Sequence, residues 1–586
     1  VRGFSPVVAG NVRIDGLYFD PVVTPSSRLV RATVIRVGPS ALGSPFPAPT
    51  GIVDLGLRRP GDEAAASLLV GYNTWHTPVA EIDATLPVSS TFSIGVGAGM
   101  QLENGFNSTR DHSFEGALIA QWKPSASLSL LPFINVRRTL IDDHGPISVP
   151  QGDFLPPRLP RRQFFGPWWS RGGDTELIGG LLADWTINDG WLLRVGLFRS
   201  QRAVTDQFAN VVRITSPDGT GQQRITGDPP LFFASTSGEV RLTRRIEDGP
   251  RTHQVHVALR GRTAYRRFGG SDVVDLGTVN ILGFAPDVPP PVLNLGPQQD
   301  DDVQQWTAGI AYEGRWQDVG ELSVGVQGTD YRKRIGLPGA ITATDARPLL
   351  YNVTAAVRLA DGISVYGGAV TGLEESGVAP NFAANRNEAL PAIQTRQFDA
   401  GVRLSLGGEM RMVAGLFQVS KPYFNLGTDG RFDVLGDVIN RGVEASIAGP
   451  ITPELSLVAG ASLLWPRVTG EAVERGLIGR LPVGAIGERF EVAADWQPQF
   501  APGLSLDMRL SYRSPEIATV SNLVSVPVRT IVDLGGRYRF KLAGNDAVLR
   551  VQATNLFSQQ GFDLRGAGAY TVLPGRVTQA YLTVDF

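Results

Sequence analysis

From Ala66 to its last residue, the sequence repeats segments of about ten residues in which apolar and polar side chains alternate. The gaps between the segments are alternately short and long. Successive side chains of a β-strand point to opposite faces, so each segment would present one face to lipid and one to water. The clearest segment places on its apolar face Leu504, Leu506, Met508, Leu510 and Tyr512. The pattern predicts a transmembrane β-barrel.

Composition narrows the possible functions. The chain has 586 residues with 54 basic and 56 acidic side chains, and this balance gives no electrostatic footprint for nucleic acid. Cysteine is absent, which excludes disulfides, thiolate metal sites and cysteine nucleophiles. The five histidines have no metal-ligand spacing. We therefore predict no catalytic site, no metal site and no cofactor.

The alternating segments predict an all-β membrane protein with 22 antiparallel strands, an even count that closes a barrel from hairpins. The first hairpin pairs residues 66–75 with 78–86, and the last pairs 547–555 with 577–586. Long connections are predicted at residues 139–174, 201–235 and 265–302, and tight turns at 188–190, 247–250 and 360–362. Long loops on the outside and short turns in the periplasm are typical of outer-membrane barrels.

Tryptophans mark the ends of the predicted strands, where an amphipathic ring fits the headgroup level of a bilayer. They are Trp75, Trp122, Trp185, Trp191, Trp306, Trp316, Trp465 and Trp496. The alternative is that they pack at the rim of a soluble β-fold, which would leave the loop asymmetry unexplained.

The residues before the barrel, 1–62, lack the regular alternation of apolar and polar side chains. They combine a short strand at residues 29–36 with a glycine- and proline-dense stretch at 38–56. Because a barrel this wide leaves a large lumen unless something fills it, we predict a plug at residues 1–62 and a barrel at 63–586.

Several motifs appear in a specific order and spacing. VRGF at residues 1–4, VRIDGLYFD at 12–20, and RVGPSALG at 36–43 are followed by GIVDL and RRP between 51 and 60. Later come VINRGVEASIAGPITPELSLVAG at 438–460, TIVDLGGRYRF at 530–540, LRVQATNLF at 549–557 and PGRVTQAYLTVDF at 574–586. Because these motifs occur together in this order, the chain resembles the TonB-dependent outer-membrane receptors, and most of all their siderophore-type branch.

The resemblance implies a monomeric importer in the bacterial outer membrane, surrounded by lipid and lipopolysaccharide. Its implied ligand is a ferric siderophore or a similar small molecule, and its implied energy source is the TonB–ExbB–ExbD complex. By this resemblance the chain begins partway through the usual plug, so the TonB-binding box either lies outside the given sequence or is lacking in the protein. The sequence departs from the family pattern at Thr50-Gly51 and at Asp54. These departures weaken the inference about the substrate class more than the inference about the fold.

The strongest ligand-binding candidates lie between residues 155 and 171, where guanidinium groups suit anionic chelates and aromatic faces suit planar groups. They are Arg158, Arg161, Arg162, Phe164, Phe165, Trp168, Trp169 and Arg171. The alternative is a loop whose aromatics pack on neighbours while its arginines bind lipopolysaccharide phosphates or face water.

The resemblance also implies that the plug loops at residues 5–10 and 18–24 touch ligand. Within these loops, Tyr18 and Phe19 are the leading candidates for ligand contact. The alternative is that both wedge the plug against the barrel wall. The acidic run at 300–302 is expected to be a solvated loop rather than a cation site.

Two other functions remain open. A passive diffusion porin would conduct steadily without an energy source, and a surface receptor or adhesin would bind without transporting. The plug-like N-terminal region favours an importer over a porin, but it does not separate an importer from a receptor.

Overall fold

The computed structural model describes residues 2–37, 44–337, 339–375, 377–379, 383–385, 388–407, 409–426 and 431–586, apart from the side chains of 425 and 426. Nearly all regular structure in these ranges is β-strand. The short helix α1 (Glu471–Glu474) lies in a loop. Within the described ranges, no helix has the length and apolar character needed to cross a membrane.

A four-stranded sheet forms first, from β1 (Val12–Ile14), β2 (Leu17–Phe19), β3 (Val30–Arg36) and β4 (Ile52–Leu57), in the order β2-β1-β4-β3. The two-residue turn between β1 and β2 consists of Asp15 and Gly16, both with positive φ (46° and 79°). This Asp-Gly pair suits a type I′ turn, whose twist matches that of the flanking strands.

The remaining strands, in chain order, are β5 (Ala65–Asn73), β6 (Pro78–Ser89), β7 (Phe92–Asn104), β8 (Arg110–Ser125), β9 (Leu128–Asp143), β10 (Ile147–Pro150), β11 (Arg171–Asn188), β12 (Trp191–Ile214), β13 (Thr220–Asp228), β14 (Leu231–Asp248), β15 (Arg251–Phe268), β16 (Asp272–Asn280), β17 (Gln299–Trp316), β18 (Gly320–Leu337), β19 (Ala340–Ala346), β20 (Leu349–Ala360), β21 (Ile363–Glu374), β22 (Ile393–Leu406), β23 (Met410–Leu426), β24 (Phe432–Thr452), β25 (Leu455–Thr469), β26 (Glu488–Trp496), β27 (Leu504–Arg513), β28 (Glu516–Ile517), β29 (Ser525–Val526), β30 (Arg529–Leu542), β31 (Asn545–Thr554), β32 (Phe562–Gly566), β33 (Ala569–Val572) and β34 (Val577–Asp585).

The long strands close into one barrel. Setting aside the short strands β10, β13, β16, β19, β32 and β33 of the large sheet leaves 22 antiparallel neighbours in a ring, as predicted. The ring closes where β34 pairs with β5, with Ala580 opposite Tyr72. Among the described strands of the ring, closure leaves no unpaired edge, so each strand forms its backbone hydrogen bonds with its two neighbours.

The predicted turns are confirmed, but the loops predicted as long are shorter than expected. β12 runs 24 residues to Ile214, and its ladder continues through β13 and β16. The acidic run at 300–302, predicted to be in a loop, lies in β17, where Asp301 pairs with Lys333 and Arg266. Above the membrane both faces of a strand are wet, so the alternation that predicts strands fades while hydrogen-bonded pairing continues.

The lipid-facing and lumen-facing sides differ as the alternation predicted. On β27, Leu506 is 39% and Met508 41% exposed on the outer surface, while Ser505 is buried inside. Exposed tryptophans also lie near strand ends, namely Trp122, Trp185, Trp191, Trp465 and Trp496. Trp306 is exposed as well, but it lies within β17.

The small sheet sits inside the barrel and packs one apolar face on the wall formed by β8 to β12. That apolar face consists of Val12, Ile14, Leu17 and Phe19, and the wall contributes Ile119, Leu131, Phe133, Ile178, Leu182 and Phe198. The rings of Phe19 and Phe198 meet edge to face at 5.6 Å. The N-terminal region therefore has the position of a plug, although its predicted boundary between residues 62 and 63 stays a prediction.

Candidate functional site

A cavity of about 580 Å³ opens among the long loops, on the side opposite the tight turns. The cavity is lined by the extended end of β12 and by four connections, namely those that follow β7 and β9, the one between β15 and β17, and the one between β31 and β34. Its aromatic lining comes from Phe106, Phe165 and Phe208, and its amides come from Asn107, Gln163, Gln207 and Asn210. A concave site of this size with a few polar groups suits a small molecule rather than a protein partner.

The arginine–aromatic loop, residues 144–170 between β9 and β11, forms one wall of this cavity. Phe165 is buried in an apolar cluster with Val212, Ile214 and Ile281. The Asn210 side-chain amide donates to the Phe165 carbonyl at 2.7 Å, and the Gln163 amide donates to the Gly283 carbonyl. These hydrogen bonds hold the loop against the extended β12 and against the connection between β15 and β17.

Three of the four candidate arginines are engaged by neighbouring segments. Arg161 donates to the Ser558 hydroxyl at 2.6 Å and so ties the loop to the connection after β31. The Arg162 guanidinium lies 5.1 Å from the centre of the Trp75 ring. Arg171 is 3.4 Å from Asp143. In the described part of the chain, Arg158 is exposed and makes no ion pair.

The aromatic candidates divide in the same way. Trp169 donates its indole N–H to the Val288 carbonyl at 3.0 Å and meets Phe208 edge to face at 5.7 Å. Phe164 is half-buried. Trp168 keeps 56% of its surface exposed. Of the candidate rings in this loop, Trp168 has the most surface free for a ligand.

Tyr18 and Phe19 lie away from the cavity, at the contact between plug and barrel. Phe19 is fully buried against Phe198, and the Tyr18 backbone N–H donates to Glu239 at 2.9 Å. These contacts match the wedge alternative. Ligand contact by either residue stays a prediction.

The carboxylates at the cavity are largely neutralised by their neighbours. Asp143 accepts from Arg110 at 2.7 Å and lies beside Arg171, while Asp563 accepts from Arg529 at 2.7 Å. Arg565 lines the cavity and donates to the Thr571 hydroxyl at 3.1 Å. The cavity therefore offers amide groups, aromatic faces and one lining arginine, a combination that can bind a polar ligand with planar groups. In the ranges that the structure covers, no three metal-ligating side chains converge.

The sequence profile of a family described as TonB dependent receptor-like, beta-barrel matches residues 103–556. The chain belongs to this family. It is therefore placed in the bacterial outer membrane, and its family comprises receptors and transporters rather than enzymes. No curated protein matches the sequence.

Solved TonB-dependent receptors share the fold at low sequence identity. The ferric preacinetobactin receptor BauA of Acinetobacter baumannii is 19% identical, with a TM-score of 0.84 over 98% of this chain and 88% of its own. The siderophore receptor PiuA of the same species is 13% identical, with a TM-score of 0.85 over 100% and 90%. The ferric-catecholate import receptor Fiu of E. coli K12 is 15% identical, with a TM-score of 0.81 over 99% and 90%.

The receptor plug is also anchored by ion pairs that the sequence did not predict. In the Arg2 cluster, the buried Arg2 guanidinium pairs with Asp399 on β22 and Glu444 on β24. In the Arg28 cluster, Arg28 pairs with carboxylates of β6 and β8, namely Glu81, Asp83 and Glu115. Strand alternation could have marked these carboxylates as lumen-facing, but it carries no information about which plug residue each one meets.

A third group joins the plug to an extracellular loop. Arg262 on β15 lies 3.0 Å from Asp20 of the plug and 3.0 Å from Glu375, the first residue after β21. Glu375 also binds Arg266 at 2.6 Å and Lys333 at 2.9 Å. We call this group, completed by Asp301, the Asp20 network. It connects the loop after β21 to the plug through one shared arginine.

Proposed function

We propose that this protein imports a scarce small ligand, first of all a ferric siderophore, from outside the cell to the periplasm. The observation that carries the proposal is the cavity among the extracellular loops directly above a lumen that holds a plug. Binding captures the ligand, and movement of the plug opens the path. The names of the similar solved receptors support a siderophore as the ligand class.

In this proposal the energy comes from the TonB–ExbB–ExbD complex, because the outer membrane has no nucleotide supply of its own. The Asp20 network links the plug to the loop after β21, which lies outside the cavity lining and would have to be contacted by a bound ligand to transmit its binding. A ligand that moves the loop after β21 shifts Glu375, which shares Arg262 with Asp20. Loss of one partner from such a buried group destabilises the remaining contact.

For ligand contact we propose Arg158 and Trp168 as the leading residues, because their side chains are exposed on the arginine–aromatic loop. Arg161, Arg162, Phe164, Phe165, Trp169 and Arg171 shape and hold that loop. Replacing Arg158 with alanine removes a charge-assisted contact and is expected to weaken anionic-chelate binding by about tenfold. The matched control is Arg347→Ala, an exposed arginine between β19 and β20, on a loop that contributes no residue to the cavity lining, whereas the loop of Arg158 forms one wall.

The function is tested by uptake of radiolabelled iron carried by a panel of siderophores, in cells with and without the gene and with and without TonB. Accumulation that needs both the gene and TonB supports import. Accumulation that needs the gene but not TonB identifies a passive porin. Binding without accumulation identifies a non-transporting receptor.

A further inference from the structure

Among the described residues, nearly every buried arginine at the contact between plug and barrel has at least one carboxylate partner. The Arg2 cluster surrounds one guanidinium with two carboxylates, and the Arg28 cluster surrounds one with three. The Asp20 network balances three basic groups against three acidic ones. This pairing is expected, because burying an unpaired charge away from water costs free energy.

One group at the same interface breaks this pattern. Arg241 and Arg260 of the barrel and Arg13 of the plug gather around a single carboxylate, that of Glu239. Glu239 lies opposite Arg260 in the register of β14 and β15, yet it does not pair with it. Its carboxylate instead accepts from Arg241 at 2.8 Å and from the Tyr18 backbone N–H at 2.9 Å. Both of its oxygens are thus engaged elsewhere.

Arg13 and Arg260 are left beside the Tyr18 ring. Their guanidinium carbons lie 5.2 Å and 5.3 Å from its centre, respectively. Arg13 is only 5% exposed, and its side chain donates to the Val12 carbonyl at 2.9 Å. Throughout the described ranges, neither arginine has a carboxylate oxygen within 4.0 Å.

The proximity of these charges affects the plug arginine. Burial, followed by the positive charge of Arg260, lowers the pKa of Arg13 to about 10. Arg13 therefore still carries its charge at neutral pH. Two guanidinium groups thus lie beside Tyr18 without a carboxylate partner among the described residues, and one of them is almost fully buried, so an anion would offset the cost of the unpaired charge.

We propose that Arg13 and Arg260 hold an oxyanion of the carboxylate or phosphate class beside Tyr18, between the plug and the β14–β15 wall. Guanidinium groups bind such oxyanions through paired N–H donors, and the Tyr18 ring limits the space around them. The occupant is either an inorganic ion or the acidic group of a molecule passing the plug. The site follows from the lumen charges alone and does not depend on which ligand the extracellular cavity takes.

The test is a selenate soak of crystals of the whole protein, because selenate is a tetrahedral oxyanion whose selenium is located by anomalous scattering. We expect a selenium peak adjacent to both guanidinium groups. The peak should vanish in Arg13→Gln and Arg260→Gln and persist in the matched control Arg537→Gln, a lumen arginine already paired with Asp495. Absence of a peak in the unaltered protein, or a peak that survives in Arg260→Gln, would overturn the proposal.

Equilibrium dialysis with radiolabelled phosphate provides a second readout that needs no crystal. Arg13→Gln and Arg260→Gln are each expected to weaken phosphate binding by about tenfold, whereas Arg537→Gln leaves it unchanged. Equal phosphate binding by all four proteins contradicts the site. Elemental phosphorus retained through purification identifies a resident phosphate, and an empty site that fills with selenate identifies one that exchanges freely.

Discussion

The plug meets the barrel through two unlike surfaces. On one side, Val12, Ile14, Leu17 and Phe19 pack on the apolar β8–β12 wall. On the other sides, the Arg2 cluster, the Arg28 cluster and the Asp20 network make charged contacts. Apolar burial is non-directional and is not screened by salt, whereas ion pairs require specific geometry and lose most of their stabilisation when one partner is removed.

The difference assigns separate roles to the two surfaces. The apolar face supplies strength that persists under most conditions, so it holds the plug in the lumen. The charged contacts fix where the plug sits against β6, β8, β15, β22 and β24, and they can be exchanged one at a time. In the proposed import function the plug is both retained and moved, and the two kinds of contact would serve these two needs.

The largest effect should come from the apolar side. Replacing Phe19 with alanine removes a fully buried ring that contacts Phe198, and it should destabilise plug docking by about 4 kcal/mol. Docking is measured as the urea dependence of protease cleavage within the plug of an otherwise folded barrel. Val34→Ala, at a plug position that is 45% exposed, is the control and should change docking little. Equal cleavage of both variants would contradict an apolar anchor.

Removal of the Arg2 charge should rank next. Arg2→Ala leaves Asp399 and Glu444 without their shared partner and should weaken docking by about 3 kcal/mol. Adding Asp399→Asn and Glu444→Gln to Arg2→Ala should recover part of the loss, because the unpaired charges are then gone. If the triple variant is only as stable as Arg2→Ala, the cost lies in lost packing against Phe417 rather than in charge.

Coupling through the Asp20 network should be smaller but specific. Asp20→Asn and Glu375→Gln act on the same arginine, so their effects on docking should be non-additive by about 1 to 2 kcal/mol. The measurement is a double-mutant cycle under the same urea assay. Additive effects would mean that the loop after β21 and the plug are not linked through Arg262.

The smallest effect should come from an exposed pair within the plug itself, between Arg59 and Asp15, whose atoms are 2.9 Å apart while Arg59 is 40% exposed. Arg59→Ala should change docking by less than about 1 kcal/mol, and about 1 M salt should remove even that difference. If Arg59→Ala weakened docking as much as Arg2→Ala, and high salt left that effect unchanged, exposure would not explain the difference between exposed and buried ion pairs.

The alternation of apolar and polar side chains along each segment was sufficient to predict the membrane-spanning barrel. Leu504 to Arg513 forms β27 with the predicted bounds and the predicted wet and lipid-facing sides. Pattern reasoning also found the arginine–aromatic loop, but not that Arg161 would reach Ser558 or Trp169 the Val288 carbonyl. These partners lie more than a hundred residues away along the chain, beyond any local periodicity.

The sequence by itself determined the barrel, its 22 strands and its tight turns, because side-chain alternation and turn chemistry act over a few neighbouring residues. The tertiary structure alone decided which wall the plug packs on and which carboxylates meet Arg2 and Arg28. It also decided that Arg13 and Arg260 both lie beside the Tyr18 ring without a carboxylate partner among the described residues. The physical reason is that a charge pair depends on distance in space, and Arg2 and Glu444 are 442 residues apart in sequence.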